Sequence, residues 1–251
     1  METDDLGHAD RLITATRRLC ETLAPLEFAA PVSHVYNPLI YAARGHRRYI
    51  RRFGDSQKRI VFLGMNPGPY GMSQTGVPFG EVAMVRDWMG IEERIDRPEK
   101  EHPKRPIEGF ACTRSEVSGR RLWGAVEAHW KSPEAFFKNH FMVNYCPLVF
   151  MEETGRNRTP DKLPAAEREP LYEACNAHLR RLIDILQPEW IVGIGAFAEA
   201  RSREILGDRD LQFGRILHPS PASPKANKDW AGAARKEFKA MGLCKRPGTK
   251  T

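Results

Sequence analysis

Three polar side chains follow closely on three short apolar runs. Ile60-Val61-Phe62-Leu63 leads through Gly64-Met65 to Asn66. Phe141-Met142-Val143 leads straight to Asn144, and Phe213 to Leu217 leads straight to His218. An asparagine amide offers both a donor and an acceptor, so it can read the edge of a polar ring or orient a water. It cannot act as a strong base. A histidine can offer a hydrogen bond or a proton near neutral pH. No carboxylate falls in this set. Glu81, in Gly80-Glu81-Val82, is the nearest by sequence, and a solvated or helix-starting role suits it better. Each residue alone has a bland alternative. Asn66 opens an Asn-Pro turn, Asn144 could be a hydrogen-bonded strand residue, and His218 could be a satisfied loop histidine.

The elements that must hold these residues are strands alternating with helices. Trp190-Ile191-Val192, ending in Gly193-Ile194-Gly195, is a fourth apolar run. Continuous rather than alternating apolar strands indicate a sheet covered on both faces. Between the runs, Asp10 to Leu23 has helical spacing and ends before Pro25; Arg121 to Trp130 is another helix. Ser132-Pro133-Glu134 and Ser223-Pro224 read as capped helix starts. Pro164 to Leu186 carries Leu171, Cys175, Leu179, Leu182 and Leu186 on one face, and Phe197 to Leu206 stops at Gly207. This alternation predicts an α/β domain with a mainly parallel sheet, over about residues 9–244, with flexible termini at 1–8 and 245–251. In such sheets, ligands bind beyond the carboxyl ends of the strands, where Asn66, Asn144 and His218 would converge.

The chain has 251 residues, 39 Lys plus Arg against 32 Asp plus Glu, and a formal charge of +7. That balance favours an anionic partner, most often nucleic acid. The basic stretch His46 to Phe53 reads as a solvated helix end, with phosphate contact as the alternative. No apolar run approaches a membrane span and the acidic N-terminus is unlike a signal peptide, so an intracellular location and no membrane partner are expected. The cysteines, Cys20, Cys112, Cys146, Cys175 and Cys244, are odd in number and widely spaced, which disfavours a disulfide framework or zinc ribbon. No metal, nucleotide or flavin motif is present, so no cofactor is expected.

Two loops complete the pattern. Gly64 to Gly80 is dense in Gly and Pro, yet it is neither a Walker A loop nor a GxGxxG fingerprint. Its Tyr70 and Phe79 have core packing as their default and stacking on a planar ring as the alternative. His218-Pro219-Ser220-Pro221-Ala222-Ser223 runs stiffly into a helix start that carries Lys225 and Lys228, an arrangement suited to phosphate.

Gly64-Met-Asn-Pro-Gly-Pro-Tyr-Gly-Met-Ser-Gln-Thr-Gly-Val-Pro-Phe-Gly-Glu-Val82 resembles the first motif of the single-strand-selective monofunctional uracil-DNA glycosylases. His218-Pro-Ser-Pro, with Ala226-Asn-Lys and Trp230, resembles their second. Glu101-His-Pro-Lys-Arg-Pro106, Ser115-Glu-Val-Ser-Gly119 and Gly155-Arg-Asn-Arg-Thr-Pro160 also fit the family, so the resemblance spans about residues 27–243. It implies a three-layer αβα fold around a short, mainly four-stranded parallel sheet. It also implies excision of uracil and 5-hydroxymethyluracil from single- and double-stranded DNA, by a monomer that initiates base excision repair. The compartment implied is the nucleoid-bearing cytoplasm or the nucleus. By motif, Asn66 positions the attacking water and His218 lies near uracil O2. Asn144 reads the uracil edge, Phe79 stacks on the ring, Met65 lies beside the pocket, and Gly68 leaves room close to the base. Pro219, Ser220, Pro221, Ala222, Lys225 and Lys228 would contact DNA.

The chemistry agrees with this resemblance. A uracil anion is a fairly stable leaving group, so a hydrogen bond from His218 can replace the paired carboxylates of most glycosidases. No lysine nucleophile is called for, and no lyase step is expected. Two departures stand out. The family pattern often has Arg where this chain has Ala222, which lessens the duplex wedging expected of the loop, and Tyr70 stands for the more usual Phe, a conservative exchange. The competing readings are a catalytically silent DNA-binding α/β protein and a hydrolase of free nucleosides or nucleotides.

Overall fold

The computed structural model describes residues 6–243. The strands are β1 Val32–Tyr36, β2 Ile60–Gly64, β3 His140–Asn144, β4 Val149–Glu152, β5 Asn157–Arg158, β6 Trp190–Ile194 and β7 Gln212–Ile216. The four apolar runs form one parallel sheet in the order β3-β2-β6-β7. Every residue of β2 is buried, as a central strand covered on both faces should be. Successive side chains of a strand face opposite sides. Phe62 accordingly stacks with Phe136 and Phe238, while Phe141 stacks with Tyr49 on the other face. The register pairs Gly64 with Asn144 and Ile194 with Ile216, so the strands release their loops at one end of the sheet.

The helices are α1 His8–Leu23, α2 Pro38–Tyr41, α3 Ala43–Phe53, α4 Met72–Thr75, α5 Val117–Trp130, α6 Pro133–Phe137, α7 Ala165–Leu186, α8 Ala196–Leu206 and α9 Pro224–Ala240. The predicted caps form: Ser132 Oγ accepts the Ala135 N–H at 3.2 Å, and Ser223 Oγ accepts the Ala226 N–H at 3.3 Å. α1 and α7 bury their leucine faces against the same core. α1 begins at His8, inside the segment expected to be flexible; residues 1–5, 244 and 245–251, including Cys244, lie outside the described residues.

A second sheet, β1-β4-β5, was not expected from the sequence. It is antiparallel and joins segments more than a hundred residues apart, Tyr36 facing Val149. The basic stretch 46–53 is the body of α3, with Tyr49, Ile50 and Phe53 buried and Arg47, Arg48 and Arg51 exposed. Arg52 is used structurally, donating to the Gly90 carbonyl at 3.1 Å and pairing with Glu134 at 2.7 Å.

Candidate active site

β2 and β3 stay zipped beyond the sheet: the Tyr145 and Cys146 N–H groups donate to the Gly64 and Met65 carbonyls, both at 2.9 Å. Met65 is therefore held by its backbone beside the crevice. Asn66 comes next. Its Nδ2 donates to the Leu148 carbonyl at 3.1 Å and, more weakly, to the Pro67 carbonyl at 3.4 Å. With the NH2 pinned, the amide can turn only its oxygen outward. That is an acceptor suited to hold a water by one of its hydrogens.

Asn144 ends β3 beside Gly64. Its Nδ2 donates to the Met72 sulfur at 3.4 Å, while its Oδ1 is buried with no partner among the described residues. An unpaired buried amide oxygen costs about 1–3 kcal/mol, a cost that an incoming N–H donor would remove. Phe79 completes this side. A side chain on Gly64 would run into Asn144 Oδ1 and would come within 2.6 Å of the Phe79 ring, so the close approach requires glycine there. Phe79 has φ +54°, a strained conformation for a non-glycine residue. It is held by its neighbours: Thr75 Oγ1 donates to the Gly80 carbonyl at 3.0 Å, and Trp123 Nε1 donates to the Pro78 carbonyl at 3.3 Å.

His218 follows β7, and its ring centroid is 6.1 Å from that of Phe79. Burial holds its pKa below the ordinary histidine value, so the ring is neutral at neutral pH. The bonds around it fix its backbone. Trp230 Nε1 donates to the Leu217 carbonyl at 2.6 Å, and the Leu217 N–H donates to Glu237 at 2.7 Å. The following loop is braced by Arg121, which donates to the Pro219 and Ser220 carbonyls at 3.2 and 3.3 Å and to Asn227 at 2.8 Å. Pro219 is buried and shapes the loop from beneath; Ser220 is half-buried and caps the Ala222 N–H at 3.1 Å. Pro221, Ala222, Lys225 and Lys228 are exposed. The bracing role of Arg121 was not visible in the sequence, because its partners lie about a hundred residues away.

Three expectations need correction or refinement. The Cβ direction of Gly68 points at Glu116: a side chain there would lie 2.7 Å from the Glu116 carboxylate, so the glycine also makes room for this acid. Glu81 starts a helical turn, as expected, but is buried: it accepts the Met84 N–H at 3.0 Å and the Ser115 hydroxyl at 2.8 Å. Tyr70 differs from Phe in more than size, because its hydroxyl accepts from Arg105 at 2.8 Å and from Arg114 at 2.6 Å.

Asn66, Phe79, Asn144 and His218 thus stand at the carboxyl ends of β2, β3 and β7, a crevice position common to parallel sheets. The chain matches known proteins in sequence and in fold. The sequence profile of the Uracil DNA glycosylase superfamily matches residues 51–240. The single-strand selective monofunctional uracil-DNA glycosylase of Rattus norvegicus is 46% identical over 94% of this chain and 85% of its own length. The protein of that name from Bos taurus is 45% identical over 94% of this chain and 87% of its own. Among solved structures, that of Pedobacter heparinus SMUG2 superposes with a TM-score of 0.66 at 18% identity, covering 94% of this chain and 99% of that one. It supports the α/β fold built on a four-stranded parallel sheet. The chain belongs to the uracil-DNA glycosylase superfamily and, within it, to the single-strand-selective monofunctional uracil-DNA glycosylases.

Proposed function

We propose that this protein is a monofunctional glycosylase that hydrolyses the N-glycosidic bond of uracil, and of 5-hydroxymethyluracil, in DNA and so initiates base excision repair. The observation that carries the reading is the pair of amide oxygens, Asn66 Oδ1 turned free and Asn144 Oδ1 buried and unpaired, at adjacent strand ends. A uracil flipped out of the stack would satisfy Asn144 Oδ1 with its N3–H and receive the remaining Nδ2–H at O4. Cytosine lacks the N3–H. Phe79 would stack on the ring. Asn66 Oδ1 would hold a water for attack at C1′, a positioning role that predicts a modest rate. As the bond breaks, charge grows on uracil O2, and neutral His218 would donate a hydrogen bond to it without transferring a full proton. Water, not an amine, is the nucleophile, so no strand-cleaving lyase step follows.

The substrate is uracil in single-stranded DNA and, less firmly gripped, in duplex DNA. Ala222 at the exposed tip of the 218–223 loop has neither the length nor the charge to hold an opened duplex. The chain acts as a single-domain monomer at the cell's DNA, in nucleoid or nucleus. A silent DNA binder would not need the two aligned amides, and a nucleoside hydrolase would not need exposed Lys225 and Lys228.

The test is an end-labelled oligonucleotide carrying one uracil, single-stranded or opposite G or A, with alkali treatment of the product and a His218→Ala control. Alkali-dependent cleavage that falls by about 100-fold in the variant is expected, the scale of losing one charge-stabilising donor. No cleavage of any uracil strand by the wild type would refute the reading.

A further inference from the structure

Tyr70 lies four residues after Asn66, on the same loop, and its hydroxyl gathers two guanidinium groups. Arg105 Nη1 donates to it at 2.8 Å and Arg114 Nη1 at 2.6 Å, and both cations also lie 5.2–5.5 Å from the Tyr70 ring centroid. The other partners of Arg105 are the Gly155 and Lys104 carbonyls, at 2.9 and 3.0 Å. Neither arginine has a carboxylate among these partners, whereas Arg52, Arg158 and Arg201 are all paired with acids. Two like charges brought to one oxygen repel each other until an anion arrives. Because the Tyr70 oxygen accepts twice, its own proton is left to point outward. The result is a rigid set of O–H and N–H donors with a net positive charge and an unmet need for an anion, the donor set that fits a phosphodiester.

Its placement says which phosphodiester. The loop from β2 that carries Tyr70 folds towards β3, where Met72 accepts from Asn144, whereas the loop from β7 that carries Ala222 starts on the far side of β6. A strand delivering a flipped nucleotide to Asn66 would pass the loop that carries both Asn66 and Tyr70. On the β7 side the loop tip itself offers only Ala222, with Lys225 and Lys228 set back in the first turns of α9. On the β2 side stand Arg105, Arg114 and a tyrosine hydroxyl that the more usual Phe would lack. We infer that Tyr70, Arg105 and Arg114 form a seat for one backbone phosphate of the DNA strand that carries the flipped uridine. The seat supplies grip that the 218–223 loop lacks. This inference rests on the glycosylase reading for its partner, and it predicts a preference for single strands, since it needs no wedge in a duplex.

The test is equilibrium binding of wild type, Tyr70→Phe and Arg114→Ala to a single-stranded oligonucleotide holding one non-cleavable 2′-fluoro-deoxyuridine, over a range of KCl. Arg105 also braces Gly155, so exposed Arg114 is the cleaner variant. Arg114→Ala should weaken binding about tenfold at low salt, as loss of one charge-assisted bond does. It should also reduce the salt slope by about 0.7, the value for one single-strand phosphate. Tyr70→Phe should weaken binding by about threefold, the cost of a neutral donor. A scan with single methylphosphonate linkages should find one position near the uridine where the neutral linkage costs the wild type most and costs Arg114→Ala clearly less. An unchanged slope, or an Arg114 effect indifferent to which linkage is neutral, would overturn the seat; the latter would mean diffuse charge or free-anion binding. Failure of the glycosylase reading itself would appear separately, as no uracil release by the wild type.

Discussion

At the scale of single residues, the site depends on which way two amides face. Asn66 is turned by carbonyl oxygens, which can only accept. Asn144 is turned by the Met72 sulfur, another acceptor with no proton to give. A flipped Asn144 would lose that bond and would present its NH2 where uracil has an N3–H, an arrangement that favours cytosine. Met72→Leu keeps the bulk and removes the acceptor. It should lower the ratio of uracil to cytosine excision by about three- to tenfold, the worth of one neutral hydrogen bond; an unchanged ratio in competition assays would exclude an orienting role for Met72. Gly64→Ala should be more damaging. The new methyl meets Asn144 and Phe79 together, and a misplacement of about 1 Å can cost about 100-fold in rate. Single-turnover excision should fall on that scale while the protein remains folded by circular dichroism. Asn66, Asn144 and His218 were legible in the sequence because each follows an apolar run, and strand ends can be read from such runs. Met72, Glu116 and Arg114 were not, because what they touch is decided by how the 64–80 loop folds back on itself.

At the scale of elements, the four parallel strands were legible from their continuous apolar runs, each broken by Gly or Pro. The β1-β4-β5 sheet was not. β1 pairs with a segment more than a hundred residues away, Tyr36 OH donates to the Arg105 carbonyl at 2.9 Å, and neither contact leaves a local periodicity. Arg121 poses the same difficulty. It leaves α5 to brace the start of the 218–223 loop, a contact spanning 98 residues to Pro219. Replacing Arg121 by Ala frees two backbone carbonyls and the Asn227 Oδ1, leaving Asn227 Nδ2 on the Pro221 carbonyl as the remaining brace. The start of the loop next to His218 then loosens, while the core loses little. Arg121→Ala should reduce kcat/KM on a single-stranded uracil substrate by about tenfold or more, the worth of a charged hydrogen bond. The urea midpoint should move only slightly. A large loss of stability with normal activity in the remaining folded protein would place Arg121 in the core's support rather than the loop's.

At the scale of the whole molecule, acid is the weak point, because the fold buries histidines in neutral form. His46 and His140 are pushed down to about 4 and His178 to about 3, all by burial, from an ordinary value of 6.5. His46 and His140 hold backbone carbonyls of Gly76 and Phe136, while His178 Nδ1 has no partner among the described residues. Between pH 6.5 and about 4 the unfolded chain therefore binds protons that the native state refuses. Stability must fall as pH falls through that window, at a limiting slope of about 1.4 kcal/mol per pH unit for each histidine. Glu116 opposes this, since burial raises its pKa and the native state takes its proton first, but it is one group against four, because burial lowers the His218 pKa as well. The formal charge of +7 adds repulsion as the histidines ionise. Urea unfolding at pH 7, 6 and 5 should show a midpoint that drops steadily with an unchanged m-value. His178→Asn removes one of these titrating groups, so the drop should be smaller in that variant whatever its absolute stability. A midpoint constant from pH 7 to 5 would mean that these histidines gain protons as readily folded as unfolded, and that water reaches the space between α1, α3 and α7.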